Sequence, residues 1–303
     1  MARYSKAILF YNKKAGHSKG DSQKQSIKKH FHQQNIDLLI FDVPKPQSEI
    51  DGIIQQGIVE GANLFIAAGG DGTVSMISNR LVGTDYPLGI IPLGTGNLIA
   101  QELGLPQRIE KALECITSNH QTTSLIDTFR LDDRHYISNV SVGVSPQIMR
   151  ETDAHEKQQL GVFAYLVKFI KQILGLQLHE VHIDYDGQKT TVMASEVLLT
   201  NIKIAGIDPL IWSEDISLTD GILDLLVFRA TSIVDILSLL LSVFAKKGNL
   251  NPVVKFFQVR DYCRIESSSP MNIQADGDLI GKTPFEIQII PKSLKIIDGM
   301  KRK

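Results

Sequence analysis

The run Gly69-Gly70-Asp71-Gly72-Thr73 sets three glycines and an aspartate within five residues. Glycine admits backbone geometry denied to other residues and lets a ligand come close to the main chain, and exposed N–H groups at a helix start favour phosphate. A carboxylate in such a turn repels a bare phosphate, so Asp71 points to a metal ion or a hydroxyl beside it. A second glycine turn, Gly94-Thr95-Gly96-Asn97, and a polar loop, Asn12-Lys13-Lys14-Ala15-Gly16, offer chemistry of the same kind. Further along, Asp220-Gly221 and Asp276-Gly277-Asp278 set carboxylates in tight turns. Each stretch taken alone is equally a turn that binds nothing.

The elements around these turns decide between the two. Residues 64–68 are an apolar run of the kind that makes a buried strand, and a helical segment can begin at Thr73, so the first glycine turn joins strand to helix. The same alternation precedes it: a strand over 6–11, a helix up to about Gln34 with Ile27 and Phe31 four apart, a strand over 36–41, and a helix over 47–60 carrying Ile50, Ile53, Ile54 and Ile58. A short strand over 87–91 empties into the second glycine turn, and 109–117 is helical. Repeated strand–helix units imply a parallel sheet covered by helices, with ligands gathered outside the carboxyl ends of the strands. Both glycine turns and the Asn12–Gly16 loop belong on that edge, and a shared edge makes a binding cleft the better reading.

From Gln121 the texture changes to strands and hairpins. Strands are expected over 134–142, 178–185, 191–200, 222–229, 262–267, 271–275 and 285–290, with a hairpin at Asp186-Gly187. The fold class is thus an α/β domain with a parallel sheet followed by a β-rich, antiparallel, sandwich-like domain. The boundary falls between 127 and 128, giving domains 1–127 and 128–303, with a return of residues 285–303 to the first domain left open. Two helices interrupt the β region, over 160–174 and 232–245. The second is apolar on almost all sides, which favours a core element, while Lys246-Lys247 at its end suits an anionic membrane surface.

A chain of 303 residues with 43% hydrophobic and 21% charged residues has room for two cored domains. Its net charge of −1 gives no basic excess for nucleic acid. Cys115 and Cys263 stand far apart, so no disulfide framework or thiolate metal site is indicated and a reducing cytosol fits. The N-terminus runs into a strand too short for a signal-peptide core, and the apolar run at 233–245 is too short to span a bilayer. A cytoplasmic protein follows. His179 and His182, three apart on a strand, point to opposite faces and make a poor metal pair. The remaining histidines are scattered, and Trp212 is expected in core packing.

In order and spacing, Asn12…Gly16, Gly69-Gly70-Asp71-Gly72-Thr73, Gly94-Thr95-Gly96-Asn97, Asp220-Gly221 and Gln274-Ala275-Asp276-Gly277-Asp278 resemble the diacylglycerol kinase catalytic family, which includes bacterial lipid kinases and the sphingosine and ceramide kinases. The resemblance runs from Lys6 to Ile297 and implies a two-domain architecture like that of NAD kinase and diacylglycerol kinase, with ATP in the cleft between the domains. It implies an ATP- and Mg²⁺-dependent kinase that phosphorylates a lipid hydroxyl, in peripheral contact with the inner membrane surface; a homodimer is compatible with it. Carried onto this chain, main-chain donors of Gly70 to Thr73, with Asn12, Lys13, Lys14, Ala15, Gly16 and Thr95, hold the nucleotide, and Gly69, Gly94, Gly96 and Asn97 complete its site. Asp71 acts through Mg²⁺, Asp127 joins the metal–water network at the end of its strand, and Asp278 is the general base. Asp220, with the carbonyls of Ser217 and Ile222, resembles a structural Mg²⁺ loop, and oxygen-only ligation suits that hard cation.

The chain departs from the family pattern in three places. The first glycine turn usually runs on into Asn-Glu, and here Ser75-Met76 follows. Leu98 stands where an acidic residue commonly follows the second turn. The proposed base is Asp278 where most relatives have glutamate. A member that binds nucleotide or lipid without transferring phosphate, and a kinase of a soluble substrate such as NAD, are the alternatives.

Overall fold

The computed structural model describes residues 4–44, 46–143, 177–205 and 210–299. They fall into two compact units, the first running up to Ile126 and resuming at Lys292, the second running from Asp127 to Pro291.

The first unit is built on four parallel strands, β1 (Lys6–Tyr11), β2 (Asp37–Asp42), β3 (Leu64–Gly69) and β4 (Leu88–Pro92), in the order β2-β1-β3-β4. Of the inner strands, β3 is buried along its whole length and β1 from Ala7 onward, because helices cover both faces. Leu9, Ile66 and Ile91 share a core with Ile27 and Phe31 of helix α1 (Asp21–Gln33) and with Leu113 and Ile116 of α5 (Ile109–Thr117). Ile8, on the opposite face, meets α2 (Glu49–Val59), where Gly57 lets the helix approach so closely that a Cβ there would overlap the Ile8 side chain. Helix α3 (Asp71–Leu81) follows β3, and the short α4 (Leu98–Glu102) follows β4. All four strands run the same way, so the loops after Tyr11, Gly69 and Pro92 emerge at one sheet edge.

The second unit is two packed antiparallel layers. One sheet has the order β12-β11-β10-β7-β14-β15, from β7 (Asn139–Gly143), β10 (Glu196–Thr200), β11 (Leu223–Phe228), β12 (Val254–Val259), β14 (Asn272–Ala275) and β15 (Asp278–Lys282). Facing it are β8 (His179–Tyr185), β9 (Gln188–Ala194), β13 (Tyr262–Ser267) and the first part of β16 (Phe285–Asp298). Alternating inward residues of the two layers, among them Val140, Leu199 and Leu225 on one and Val181, Ile265 and Ile287 on the other, form a single core. β5 (Thr122–Leu131) carries the chain into this unit and pairs with β6 (Arg134–Tyr136). The far end of β16 belongs to the first unit, where Ile296 lies parallel to Leu88 of β4.

The α/β plus sandwich fold class matches the sequence expectation, and several local expectations are corrected. The strand expected over 191–200 is two strands in different sheets. The chain turns at Ser195, whose N–H and hydroxyl both donate to the Phe228 carbonyl, and this corner moves it from one layer to the other. The strand expected over 134–142 breaks at Ile137 and Ser138, whose N–H groups go to the Asp276 carboxylate instead of a ladder partner. Helix α3 starts at Asp71 rather than Thr73. Asp127 lies within β5 rather than at a strand end. The helix expected over 160–174 lies outside the described residues. The helix expected over 232–245 is present as α6 (Ile233–Phe244), yet of its side chains Val243 alone is fully buried, so it is not a core element. Among the described residues no helix is long and apolar enough to cross a membrane.

Candidate functional site

In the first unit the two glycine turns meet main chain to main chain. A Cβ on Gly94 would lie 2.5 Å from the Gly70 Cα and 2.8 Å from Asn97 Oδ1, so the second turn tolerates no side chain there, and a Cβ on Gly70 would crowd the Gly94 Cα at 3.2 Å. A Cβ on Gly69 would fall inside the Thr73 side chain. The Leu93 N–H donates to the Gly69 carbonyl at 2.9 Å and ties the turns together. Asn97 takes a left-handed conformation and closes its own turn, accepting from the Gly94 N–H and donating to the Gly94 carbonyl, both at 2.9 Å. Gly72 has open space around its missing Cβ, which leaves the start of α3 approachable by a ligand. The first N–H groups of a helix carry the positive end of its dipole. That of Thr73, expected from the sequence to face the nucleotide, instead donates to the Gly70 carbonyl at 2.9 Å.

The Asn12–Gly16 loop joins this edge. The Asn12 N–H donates to the Ala68 carbonyl, and its side-chain Nδ2 donates to Thr73 Oγ1, each at 2.9 Å. Asn12 Oδ1 accepts from the Lys14 N–H at 3.0 Å, which shapes the loop, and Lys13 and Lys14 are exposed. A Cβ on Gly16 would come within 3.1 Å of Thr95 Oγ1. His17, set aside in the sequence with the scattered histidines, pins the loop to the second turn: its N–H donates to the Leu93 carbonyl at 2.8 Å, and Nδ1 lies 2.9 Å from the Gly94 carbonyl oxygen. Its one sequence signal is its place directly after Gly16.

Asp71 is the first residue of α3. Its Oδ1 accepts from the Ile99 N–H at 3.1 Å, and its Oδ2 faces Gly96, where a Cβ would sit 3.3 Å away. The carboxylate therefore bridges the first turn to the helix that follows the second. Leu98 opens that helix beside it, while Ser75 and Met76 continue α3.

In the second unit the sequence-selected acids occupy two turns. Asp276 and Gly277 both have positive φ, 44° and 94°, and form the two-residue hairpin between β14 and β15. The Asp276 carboxylate is buried and accepts from the N–H groups of Ile137, Ser138 and Asn139 at 3.0, 2.9 and 3.2 Å, and from Ser138 Oγ at 2.6 Å. Asp278, the first residue of β15, is exposed. Asp276 thus fixes the hairpin that presents Asp278, a supporting role that the spacing of the motif did not reveal.

The Asp220 turn is held from β5. The Asp127 Oδ2 accepts from the Gly221 N–H at 2.6 Å, and the Asp127 N–H donates to the Leu218 carbonyl at 2.7 Å. Asp220 Oδ1 accepts from the Ile222 N–H at 3.0 Å, and Ser217 Oγ pairs with Thr219 Oγ1 at 3.2 Å. Burial raises the Asp220 carboxyl above its ordinary value, against the Ile222 hydrogen bond, and the charge of Asp127 adds to the rise. Among the described residues no group of three or more His, Cys, Asp or Glu side chains has metal-binding proximity.

Comparison with known proteins accords with this geometry. Residues 6–129 match the diacylglycerol kinase catalytic domain, and residues 138–298 match the YegS C-terminal NAD kinase beta sandwich-like domain. An uncharacterized protein of Synechocystis sp. is 33% identical, over 95% of this chain and 69% of its own length. The diacylglycerol kinase of Bacillus subtilis is 26% identical over 96% of both chains. A crystal structure of a diacylglycerol kinase from Bacillus anthracis superposes with a TM-score of 0.75 at 25% identity, covering 99% of each chain. An α/β unit with two abutting glycine turns, followed by an antiparallel sandwich with a matching family model of its own, makes this chain a member of the diacylglycerol kinase family.

Proposed function

We propose that the chain is an ATP-dependent lipid kinase that transfers the γ-phosphoryl group to a lipid hydroxyl at a membrane surface, in the cytoplasm. The abutment of Gly70 and Gly94 carries this reading, because it strips side chains from two turns at one strand edge and leaves main-chain N–H groups for phosphate. Asn12 and Thr73, joined by a hydrogen bond, frame the same edge. In this reading Asp278 accepts the proton of the lipid hydroxyl, the resulting oxygen attacks the γ-phosphorus, and the bond to the ADP oxygen breaks.

Mg²⁺ would neutralise charge on the phosphate oxygens. The donors fit a hard cation. Asp71 offers a carboxylate beside the glycine turns, and Asp220, pushed upward by burial and by Asp127, is an acid whose charge a cation would relieve. The carbonyls of Ser217 and Ile222 are the further oxygens of that turn.

Leu98 and Met76 favour a second reading, in which nucleotide or lipid binds without transfer, since neither side chain supplies an oxygen ligand for Mg²⁺. Labelled ATP offered with a panel of lipids in mixed micelles, with NAD as control, separates the readings. A phosphorylated lipid supports the kinase assignment. Product on NAD alone, or thermal stabilisation by ATP with no product on any acceptor, overturns it.

A further inference from the structure

Helix α6 is built inside out for a protein surrounded by water. Its serines face the protein: the buried Asn251 donates through Nδ2 to Ser238 Oγ at 3.0 Å and to Ser242 Oγ at 2.7 Å. Leu239 and Val243 pack inward beside them, and six other apolar residues face outward. Ile233, Val234, Leu237, Leu240, Leu241 and Phe244 are all exposed, with Val234, Leu241 and Phe244 at 74%, 71% and 70%. At 3.6 residues per turn these six lie within about 120° of the helix circumference, so they form one stripe rather than scattered exposures. The direction of the helix is not a matter of slack, because its start is fixed by a capping box. Ser232 Oγ accepts from the Asp235 N–H, and Asp235 accepts in return from the Ser232 N–H.

A surface that exposes its apolar stripe and turns its half-buried serines toward the protein is matched to an apolar medium. The stripe has no hydrogen-bonding side chain, unlike the polar, water-bridged contacts that protein interfaces carry. Its charge setting is one-sided as well. From Ser232 to Phe257 the acid is Asp235, committed to the cap, against Lys246, Lys247 and Lys255. Lys246 pairs with Glu214 at 2.8 Å, and Lys247, three residues past the end of the helix, is exposed, followed by Leu250 at 72% exposure.

We propose that α6 is the element by which this chain docks on an anionic bilayer. The helix lies in the interface plane with its stripe in the acyl region and Lys246 and Lys247 among the headgroups. Twelve residues span about 18 Å as a helix, too short to cross the hydrocarbon core, so the docking is peripheral. The identity of the apolar medium rests on the lipid kinase reading above, and the outward direction of the stripe on the Asn251 and capping contacts and the inward packing of Leu239 and Val243.

The test is sedimentation of the full chain with phosphatidylcholine vesicles, with and without phosphatidylserine and without acceptor lipid. The intact chain is expected to bind the phosphatidylserine vesicles. The variant Leu237→Ser/Leu241→Ser/Phe244→Ser, shown by circular dichroism to be folded, is expected to bind about tenfold or more weakly. Lys246→Glu/Lys247→Glu is expected to lose the preference for phosphatidylserine. Phe244→Trp is expected to add an emission, beyond that of Trp212, that shifts to the blue on vesicles and is quenched by brominated acyl chains. No sedimentation of the intact chain, undiminished binding by the triple serine variant, or a dimer that this variant dissociates while vesicles leave the intact chain in solution would each overturn the proposal. Transfer to a short-chain soluble acceptor distinguishes its failure from that of the kinase reading. Transfer without vesicle binding removes the docking role alone, and vesicle binding without transfer to any acceptor removes the kinase alone.

Discussion

Gly94 lies so close to Gly70 that a methyl group on it would stand 2.5 Å from the Gly70 Cα, although the two residues belong to different strand-to-helix connections. Two turns that touch through their main chains can present N–H groups from both to one anion. The consequence is a contrast between glycines that are needed for packing and glycines that are needed for a ligand.

Gly94→Ala is therefore expected to destabilise the first unit by about 1–3 kcal/mol through overpacking. Gly72→Ala meets no neighbour within 4 Å and sits in the first turn of α3, so its stability is expected to be unchanged or raised by up to about 1 kcal/mol. Its affinity for ATP is nonetheless expected to fall, about tenfold or more, because the added methyl group occupies the approach to the main chain. Urea denaturation and titration calorimetry on the two variants give both numbers. ATP affinity unchanged in Gly72→Ala would remove phosphate from this turn.

Asp71 has a structural bond as well as its assigned chemistry, since its Oδ1 accepts from the Ile99 N–H. Asp71→Ala loses both, and a cost of about 0.5–2 kcal/mol in stability is expected alongside loss of transfer. Asp71→Asn keeps an acceptor oxygen for Ile99 and loses the charge, so stability is expected to stay near that of the parent while phosphate transfer disappears. Full activity in Asp71→Asn, followed with labelled ATP, would dismiss the metal-linked role.

The two acids flanking Gly277 are expected to divide stability from chemistry. Asp276→Ala strands the donors of Ile137, Ser138 and Asn139 in a buried site and is expected to cost about 2–4 kcal/mol. Asp278→Asn, at an exposed position, is expected to change the denaturation midpoint little and to abolish transfer. Retained turnover in Asp278→Asn would move the base elsewhere.

Acidification is expected to weaken the first unit through His30. Burial holds its imidazole below the ordinary value of 6.5, against the Leu113 backbone contact and the charge of Glu114, and Nε2 lies 2.9 Å from Thr117 Oγ1. Above that ordinary value the ring is neutral in both folded and unfolded chains, and the stabilisation is complete. As pH falls below it, the unfolded chain takes up a proton that the folded chain resists, and stability is lost until the folded ring also titrates. His30→Gln should reduce the fall in urea midpoint between about pH 7.5 and about pH 5.5. An identical fall in the variant would place the sensitivity in other groups.

The sequence by itself determined most of the elements and the order in which they come, though not β12 or β15. Runs such as Leu64–Ala68 read as buried strands, and Ile27 with Phe31 marked a helix face, because period and turn chemistry are local properties of the chain. It also determined where the glycine turns fall, since only glycine meets the steric demand at Gly69 and Gly94. What tertiary structure decided depends on partners distant in sequence. Ser195 breaks a run that reads as one strand because Phe228 offers it a carbonyl and the two halves join different sheets. Ile137 and Ser138 leave their ladder because Asp276, far along the chain, takes their N–H groups. His17 gained its place from Leu93 and Gly94, and the end of β16 its place from Leu88. The direction of α6 shows the limit most plainly. A helix apolar on most sides carries no instruction about which face turns inward, and Asn251, reaching Ser238 and Ser242, together with the packing of Leu239 and Val243, holds its apolar stripe outward.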